Sequence, residues 1–226
     1  MGSLVLYIGE KNVSSWSMRA YVAMTEKGLP FEERTISLEQ DKDRSQRRRI
    51  GPTGRVPVLH HLLEGKEPLV IPDSLAIIEY LEETFPAPAH PALWPSETRQ
   101  RAHARWLAAT MHSGFPKLRE GMSFNLCFLP KPPAPSAEAL GEASELLSLW
   151  ESALRQNQKP KAGPFLFGSF GAVDAMFTPA VVRLSSFRVP TNYDPRAAEY
   201  MSAVLSHPSV RKWLDAARAL PPVESH

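Results

Sequence analysis

Residues 52–59 read P-T-G-R-V-P-V-L, and residues 72–81 read P-D-S-L-A-I-I-E-Y-L. In the first run, a turn rich in Gly and Pro leads into apolar residues, which is typical of a short buried strand over residues 56–59. Pro57 has no N–H to give to a sheet, so it suits the start or the edge of that strand. A cis bond before Pro57 would do something else: it would turn the backbone of Val56 outward, where an extended ligand can pair with it.

The second run predicts a helix with an exposed polar start. Asp73 and Ser74 are N-cap residue types, and apolar residues follow at helical spacing, at Leu75, Ile77, Ile78 and Leu81. The first N–H groups of such a helix, together with the Ser74 hydroxyl, can hold a carboxylate. Taken singly, a Val-Pro pair is most often a strand start and an Asp-Ser pair most often a cap. The two features together indicate a ligand site.

Composition sets the outer bounds. The chain has 226 residues, of which 43% are hydrophobic and 22% charged, as in ordinary globular proteins of one or two domains. The net charge of +2 is too small to indicate nucleic acid, and Arg47-Arg48-Arg49 is interpreted as a solvated face. No apolar run approaches the roughly 18 residues that span a membrane. We therefore expect neither a nucleic acid nor a membrane as a partner.

Cysteine and histidine usage bears on redox state and metals. Cys127 is the only cysteine, so we expect neither a disulfide framework nor a paired-cysteine metal site, and a reducing cytoplasm is the expected location. His60-His61 lacks a convincing set of further ligands, so no metal is expected.

The order of elements indicates two units. Strand, helix, strand and a short charged helix precede the central stretch, which adds two strands and a helix; this β-α-β-α-β-β-α order fits a thioredoxin-like unit. A proline-rich linker follows, and beyond it only helical patterns occur. The predicted fold is an α/β thioredoxin-like domain over residues 1–85, a linker over 86–95 and an all-α domain over 96–226. The helices expected in the last unit cover 96–120 (interrupted near Gly114 and Pro116), 137–156, 172–184, 196–205 and 208–217.

The Val56-Pro57 and Asp73-Ser74 pairs, in this order, resemble the glutathione site of the glutathione S-transferases. The phrase S-L-A-I-I-E-Y-L-E-E, residues 74–83, is especially close to the zeta class and its bacterial relatives. The resemblance implies that the Val56-Pro57 backbone pairs with the cysteinyl part of glutathione, and that Asp73 and Ser74 hold its γ-glutamyl end. Arg55, which precedes Val56, could reach a glutathione carboxylate or serve only as a surface residue. Glutathione is then the expected co-substrate.

The same resemblance places the thiol-activating group at Ser14-Ser15-Trp16-Ser17-Met18-Arg19, where zeta-class proteins read S-S-C-S-x-R. A free thiol with a pKa of about 8.5 is only a few per cent thiolate at neutral pH. A hydroxyl donor and a helix N-terminus favour the anion, and a drop of about two pKa units corresponds to roughly 2.7 kcal/mol. Ser14 and Ser15 are therefore the predicted catalytic residues, as hydrogen-bond donors. Ser14 is favoured and Ser15 contributes its backbone N–H, whereas the alternative is that both only cap a helix.

Two departures from the family pattern stand out. Trp16 replaces the cysteine, and residues 1–126 contain no cysteine at all, so reduction of mixed disulfides is disfavoured. Gly171 stands three residues before Asp174, where the family usually carries Ser or Thr as a helix cap. Glycine at an N-cap costs only a few tenths of a kcal/mol relative to serine, so that helix should survive.

Several functions remain open at this point. The first is conjugation of glutathione to a small electrophile, as in detoxification, or isomerisation of a maleylacetoacetate-like substrate. The others are peroxidase activity with the same thiolate and a non-catalytic binding module. His112, Phe115 and Arg119 are candidates for the electrophile pocket, although a structural histidine is the plainer interpretation of His112. The family also implies a homodimer, with the expected apolar surface near Tyr80 and Phe85.

Overall fold

The computed structural model describes residues 2–38, 41–156, 163–191 and 195–221, with no description of the side chains of residues 41–44. Its first part is a four-stranded mixed sheet with strand order β2-β1-β3-β4. Strand β2 pairs with β1 in parallel, whereas the β1–β3 and β3–β4 pairs are antiparallel. The elements in chain order are β1 (Ser3–Ile8), α1 (Ser15–Glu26), β2 (Glu32–Thr35), α2 (Asp41–Ile50), β3 (Val58–Leu62), β4 (Leu69–Ile71) and α3 (Ser74–Thr84). This is the predicted thioredoxin-like order.

The remainder of the described chain is helical, as predicted. Gly114 ends one helix, and Phe115 adopts a left-handed backbone with a φ of 59° before Pro116 begins the next. The interruption expected near Gly114 and Pro116 is therefore confirmed. The helices are α4 (Thr98–Ser113), α5 (Pro116–Gly121), α6 (Ala137–Gln156), α7 (Ala172–Ser186), α8 (Pro195–Ser206) and α9 (Pro208–Arg218), with a short 3-10 helix at Asn125–Phe128.

Two predicted strands differ in extent from the observed ones. The strand expected over 56–59 begins at Val58, where it pairs with Tyr7, and continues to Leu62. Pro57 lacks the N–H that the ladder needs, so Val56 and Pro57 stay outside it. The run F-E-E-R-T-I-S-L predicts a second strand over residues 31–38, but β2 spans only Glu32–Thr35, because β1 ends at Ile8 and offers no further partner.

Helix α1 joins the two parts of the molecule. It packs against α3 on the sheet side and against α7 and α9 of the helical part. Its apolar residues Met18, Val22 and Met24 are fully buried. Helix α7 is buried along almost its whole length, so a helix enclosed on all sides forms the centre of the helical part. The first turn of α1 therefore lies where both parts can reach it.

Gly171 is explained by a close backbone approach. It is the N-cap of α7, and the Asp174 carboxylate accepts from its N–H at 2.9 Å and from the Leu166 N–H at 3.3 Å. A Cβ on Gly171 would lie 2.6 Å from the Leu93 carbonyl oxygen, which accepts from the Ala172 N–H at 2.8 Å. A serine would collide with the linker backbone at this point. The departure from the family pattern thus has a steric cause.

Within the described residues, no helix combines the length and the apolar character needed to cross a lipid bilayer.

The contact at Gly171 gives a stability test with an internal control. We expect Gly171→Ala to lower the free energy of unfolding by about 1–3 kcal/mol, because the linker or α7 must shift. Gly141 lies inside α6 with nothing within 4 Å of its added Cβ. Gly141→Ala should therefore raise stability by about 0.5–1 kcal/mol. Urea unfolding followed by circular dichroism measures both, and equal effects of the two changes would contradict the steric account.

Candidate active site

A cavity of about 550 Å³ lies between the start of α1, the end of α2, the turn before β3, the start of α3 and the helix α4. Its wall brings together most of the predicted site residues, although they come from distant parts of the sequence. The predicted residues on the wall are Ser14, Ser15, Arg55, Val56, Pro57, Asp73, Ser74 and His112. The wall has both polar and apolar parts, which suits a ligand with charged ends and a thiol in the middle.

Ser14 caps α1 and faces this cavity. Its hydroxyl oxygen accepts from the Ser17 backbone N–H at 3.3 Å and lies 2.7 Å from the Ser17 hydroxyl oxygen. Ser14 is only 6% exposed, so protein atoms cover most of its surface. The plain capping role and the donor role are compatible here, because a hydroxyl can accept two hydrogen bonds and donate one.

Ser15 is tied to the helical part of the molecule. Its hydroxyl oxygen accepts from Arg183 Nη2 at 3.3 Å, and its backbone N–H donates to the Val13 carbonyl at 3.2 Å. The backbone N–H that was expected to serve the ligand thus has a partner within the chain. Ser14 and Ser15 differ in role: one is held by its own helix and the other by α7.

The Val56–Pro57 peptide bond is cis, the alternative that the sequence left open, and both residues line the cavity. Arg55, beside them, is exposed and also on the wall.

The polar side chains at the start of α3, Asp73 and Ser74, both line the cavity, and Asp73 also caps the helix. Asp73 Oδ1 accepts from the N–H groups of Leu75 at 2.8 Å and Ala76 at 3.0 Å, as a helix cap does. Its other oxygen lies 3.4 Å from His112 Nε2. The Ser74 hydroxyl is buried and has no hydrogen-bond partner among the described residues. Because buried hydroxyls are normally paired, this one is available to a ligand.

The three residues predicted for the electrophile pocket have different positions. His112 reaches the cavity, with its ring 5.2 Å from the Trp16 ring and edge-on to it. Phe115 is buried in the core and does not line the cavity; its left-handed backbone precedes α5. Arg119 does not line the cavity either, but its guanidinium lies 5.7 Å from the Trp16 ring.

Two features were missed by sequence reasoning. Arg47, interpreted as part of a solvated face, lines the cavity and donates to the carbonyl oxygens of Gly54 at 3.1 Å and Ser37 at 3.0 Å. A run of three arginines carries no signal that singles out the first. The second feature is a cluster of arginines behind Trp16.

This cluster consists of Arg19, Arg119 and Arg183. Arg19 is 2% exposed, stacks 4.2 Å from the Trp16 ring, and has its Nε and Nη1 atoms unpartnered among the described residues. Burial, and then the charges of Arg183 and Arg119, lowers the pKa of Arg19 to about 9. Burial likewise lowers the pKa of Arg183 to about 10. At these pKa values Arg19 and Arg183 remain protonated at neutral pH, which makes the region beside Ser15 positive.

Cys127 is half-buried in the short 3-10 helix, away from the cavity, and burial raises the pKa of its thiol to about 11. Such a thiol is unreactive at neutral pH. The described residues contain no group of three His, Cys, Asp or Glu side chains placed to hold a metal ion.

The similarities of this chain to known proteins lead to the same family as the residues of the cavity. Residues 13–84 match the family model for the glutathione S-transferase N-terminal domain. Glutathione S-transferase 1 of Dianthus caryophyllus is 31% identical over 173 residues, which are 76% of this chain and 73% of that protein. A probable maleylacetoacetate isomerase of Caenorhabditis elegans is 36% identical over 114 residues, 50% of this chain. That second match spans only about half, 49%, of the relative's length.

Among solved structures, a glutathione transferase homologue from Burkholderia, determined with bound glutathione, has the same fold. It is 30% identical, superposes with a TM-score of 0.71, and the match covers 96% of this chain and 100% of that one. The fold is thus a thioredoxin-like domain followed by an all-helical domain, as predicted. With a relative of this identity matched over most of its length, and the family's N-terminal model matched across the cavity residues, the chain belongs to the glutathione S-transferase family.

Proposed function

We propose that this chain binds glutathione in the cavity and activates its thiol for attack on an electrophilic second substrate. One observation supports the proposal above all. The same cavity is lined by Ser14, by Val56 and Pro57, and by Ser74, whose hydroxyl has no partner among the described residues. In this proposal residues 1–85 bind glutathione, residues 86–95 link the two units, and residues 96–226 supply the electrophile side.

Glutathione is anchored at its charged ends. The Ser74 hydroxyl and the N-terminus of α3 hold the γ-glutamyl carboxylate, since a helix N-terminus favours an anion. Asp73 Oδ2, which the cap does not use, accepts from the ammonium group of the same end. Arg55 and Arg47 lie on the wall where they can meet the second carboxylate. The Val56 backbone pairs with the cysteinyl residue in the manner of an added strand.

Ser14 then acts on the sulfur. Its hydroxyl donates to the glutathione sulfur and stabilises the thiolate relative to the thiol. The proton leaves to solvent through the open side of the cavity, and the serine never forms a bond to the substrate. A nearby helix N-terminus and the three arginines add positive potential, which favours the thiolate further.

The arginine cluster favours a second substrate that carries a negative charge, and this narrows the proposed function. Buried charges are normally paired, yet Arg19 and Arg119 each have buried nitrogen atoms without a partner among the described residues. Neither side chain lines the cavity, so a carboxylate on a substrate bound there would be attracted by these charges from across the Trp16 ring. This supports isomerisation of a maleylacetoacetate-like substrate, the activity named for the Caenorhabditis elegans relative.

A turnover panel separates these functions. With glutathione present, we expect activity on maleylacetone to exceed activity on a neutral aryl halide or on cumene hydroperoxide, because only the first carries a carboxylate. Arg119→Leu should reduce activity on maleylacetone by about three- to tenfold, because it removes positive charge behind Trp16, and should leave the aryl halide rate within twofold. Turnover of the neutral electrophile alone would reject the isomerase, and no turnover of any substrate would favour a binding module.

The role of Ser14 is tested by separating thiol pKa from affinity. Ser14→Ala should raise the pKa of the bound thiol by about one to two units and lower turnover at neutral pH by roughly ten- to a hundredfold. Ser74→Ala should instead weaken glutathione binding by about 1–2 kcal/mol and leave the thiol pKa in place. Ultraviolet titration of the bound thiolate and calorimetry measure the two quantities. A raised thiol pKa and reduced turnover in Ser15→Ala, with both quantities unchanged in Ser14→Ala, would show that Ser15 donates to the sulfur instead.

We also propose a homodimer. Tyr80 and Phe85, where an apolar surface was expected, are partly buried and packed on the core. The exposed apolar side chains instead include Leu69 and Val70 on the edge strand β4, and Trp106 on α4. The edge of one subunit covers Trp106 of the other in this proposal.

Light scattering at micromolar concentration should give twice the 25.2 kDa mass of one chain. Leu69→Glu should shift the mass toward the monomer, whereas Leu140→Glu, a change at an exposed leucine on α6, should not. A monomeric mass for the unchanged protein would contradict the dimer.

A further inference from the structure

Ser17 lies directly behind Ser14 and has no role in the chemistry described above. It is fully buried on the first turn of α1. Its hydroxyl oxygen accepts from the Gly9 backbone N–H at 3.1 Å and lies 2.7 Å from the Ser14 hydroxyl oxygen. Gly9 follows the end of β1, so this contact joins the sheet to the start of the helix.

Counting protons decides the direction of the bond between the two hydroxyls. Each serine has one hydroxyl proton, and only one of the two can lie between oxygens 2.7 Å apart. If Ser14 donated, the Ser17 proton would need another acceptor, and the described part of the chain gives Ser17 no such bond. A buried hydroxyl proton without an acceptor carries the full penalty of its lost hydration.

The opposite direction leaves no hydroxyl proton enclosed in the core. Ser17 would then donate to Ser14 across the 2.7 Å contact between the two hydroxyl oxygens. Ser14 would accept from both the hydroxyl and the backbone N–H of Ser17. Both lone pairs of the Ser14 oxygen are occupied, so its own proton is left for the cavity that Ser14 lines. A hydroxyl that accepts hydrogen bonds is also polarised into a stronger donor.

We infer that Ser17 is a positioning residue for the proposed reaction: held by the Gly9 N–H, its hydroxyl donates to Ser14 and directs the Ser14 proton at the glutathione sulfur. The inference rests on the proposed function, because it needs a thiolate at Ser14. Gly9 is part of the arrangement, since a Cβ there would lie 2.9 Å from the Ser14 Cβ and 2.5 Å from Leu38 Cδ1. Only a glycine lets the end of β1 approach Ser14 this closely without a shift.

Ser17→Ala in the full chain tests the inference. We expect the pKa of the bound thiol to rise by roughly 0.5–1 unit, which corresponds to a three- to tenfold loss of kcat/KM below that pKa. The loss should disappear at alkaline pH, where the thiolate forms without help, and glutathione affinity should stay within twofold. Thr25→Val is the matched control, because the Thr25 hydroxyl lies on the same helix and donates to the Tyr21 carbonyl at 2.9 Å, away from the serines. It should leave both quantities unchanged.

A double variant separates positioning from a purely structural role. In the Ser14→Ala background, Ser17→Ala should raise the thiol pKa no further, because its effect passes through Ser14. Additive shifts would show that Ser17 acts on the fold and would overturn the inference. An unmoved pKa in Ser17→Ala, with a raised one in Ser14→Ala, would overturn the inference and leave the proposed function intact. Unmoved values in both would overturn the inference together with the assignment of Ser14.

A second substitution covers the case in which Ser17→Ala does not fold. Ser17→Cys keeps the size of the side chain and a weaker donor, so the pKa of the bound thiol should rise by less than in Ser14→Ala. The titration is taken as a difference from the ligand-free protein, which removes the absorbance of protein thiols. An unchanged curve in Ser17→Cys would overturn the inference equally.

Discussion

The start of α1 must be held in one place relative to the sheet, and the proposed chemistry depends on that constraint. Segments far away in sequence hold the loop before it. Asn12 Nδ2 donates to the Pro221 carbonyl at 2.8 Å, and Trp213 Nε1 donates to the Lys11 carbonyl at 3.0 Å. The end of the helical part thus holds the loop that leads to Ser14. A hydroxyl that must meet a sulfur within a few tenths of an ångström requires such support.

Burial of positive charge is the second organising feature. Arg19 and Arg183 lie inside the protein, where an unpaired charge costs free energy, and burial lowers the pKa of each. Arg183 bonds to neutral oxygens, among them the Ser15 hydroxyl and the Met122 carbonyl. The free protein therefore has positive charge buried beside Ser15 and Trp16, next to the cavity. An anion bound there recovers part of that cost, which links stability to ligand binding.

Much of the site could be predicted because its determinants are local. The Val56-Pro57 and Asp73-Ser74 pairs each fix the backbone within a few residues, and the structure brings both pairs to one wall. The Gly171 departure could be noticed but not explained, because the obstacle is a carbonyl of Leu93, 78 residues earlier in the chain. Distance in sequence is what limited the prediction.

The same limit applies to the groups that surround the serines. The bond between Arg183 and Ser15 spans 168 residues and leaves no trace in either local pattern. Phe115 looked like a pocket residue because of its place beside His112, but it is buried in the core instead. Ser17 belongs to the run of residues 14–19 that was compared with the family pattern. Its contact with Gly9, however, depends on how β1 and α1 pack together. Local sequence patterns identified the residues that line the cavity. The direction of their hydrogen bonds depends on tertiary packing.

The proposed function requires that this cavity stabilises the thiolate of glutathione. Ultraviolet titration of glutathione bound to the unchanged protein measures that stabilisation. We expect a bound thiol pKa about two units below that of the free thiol, near 6.5, with a reversible thiolate absorbance that disappears when S-methylglutathione replaces glutathione. A bound thiol that titrates at the same pH as free glutathione would show that the cavity does not stabilise the thiolate.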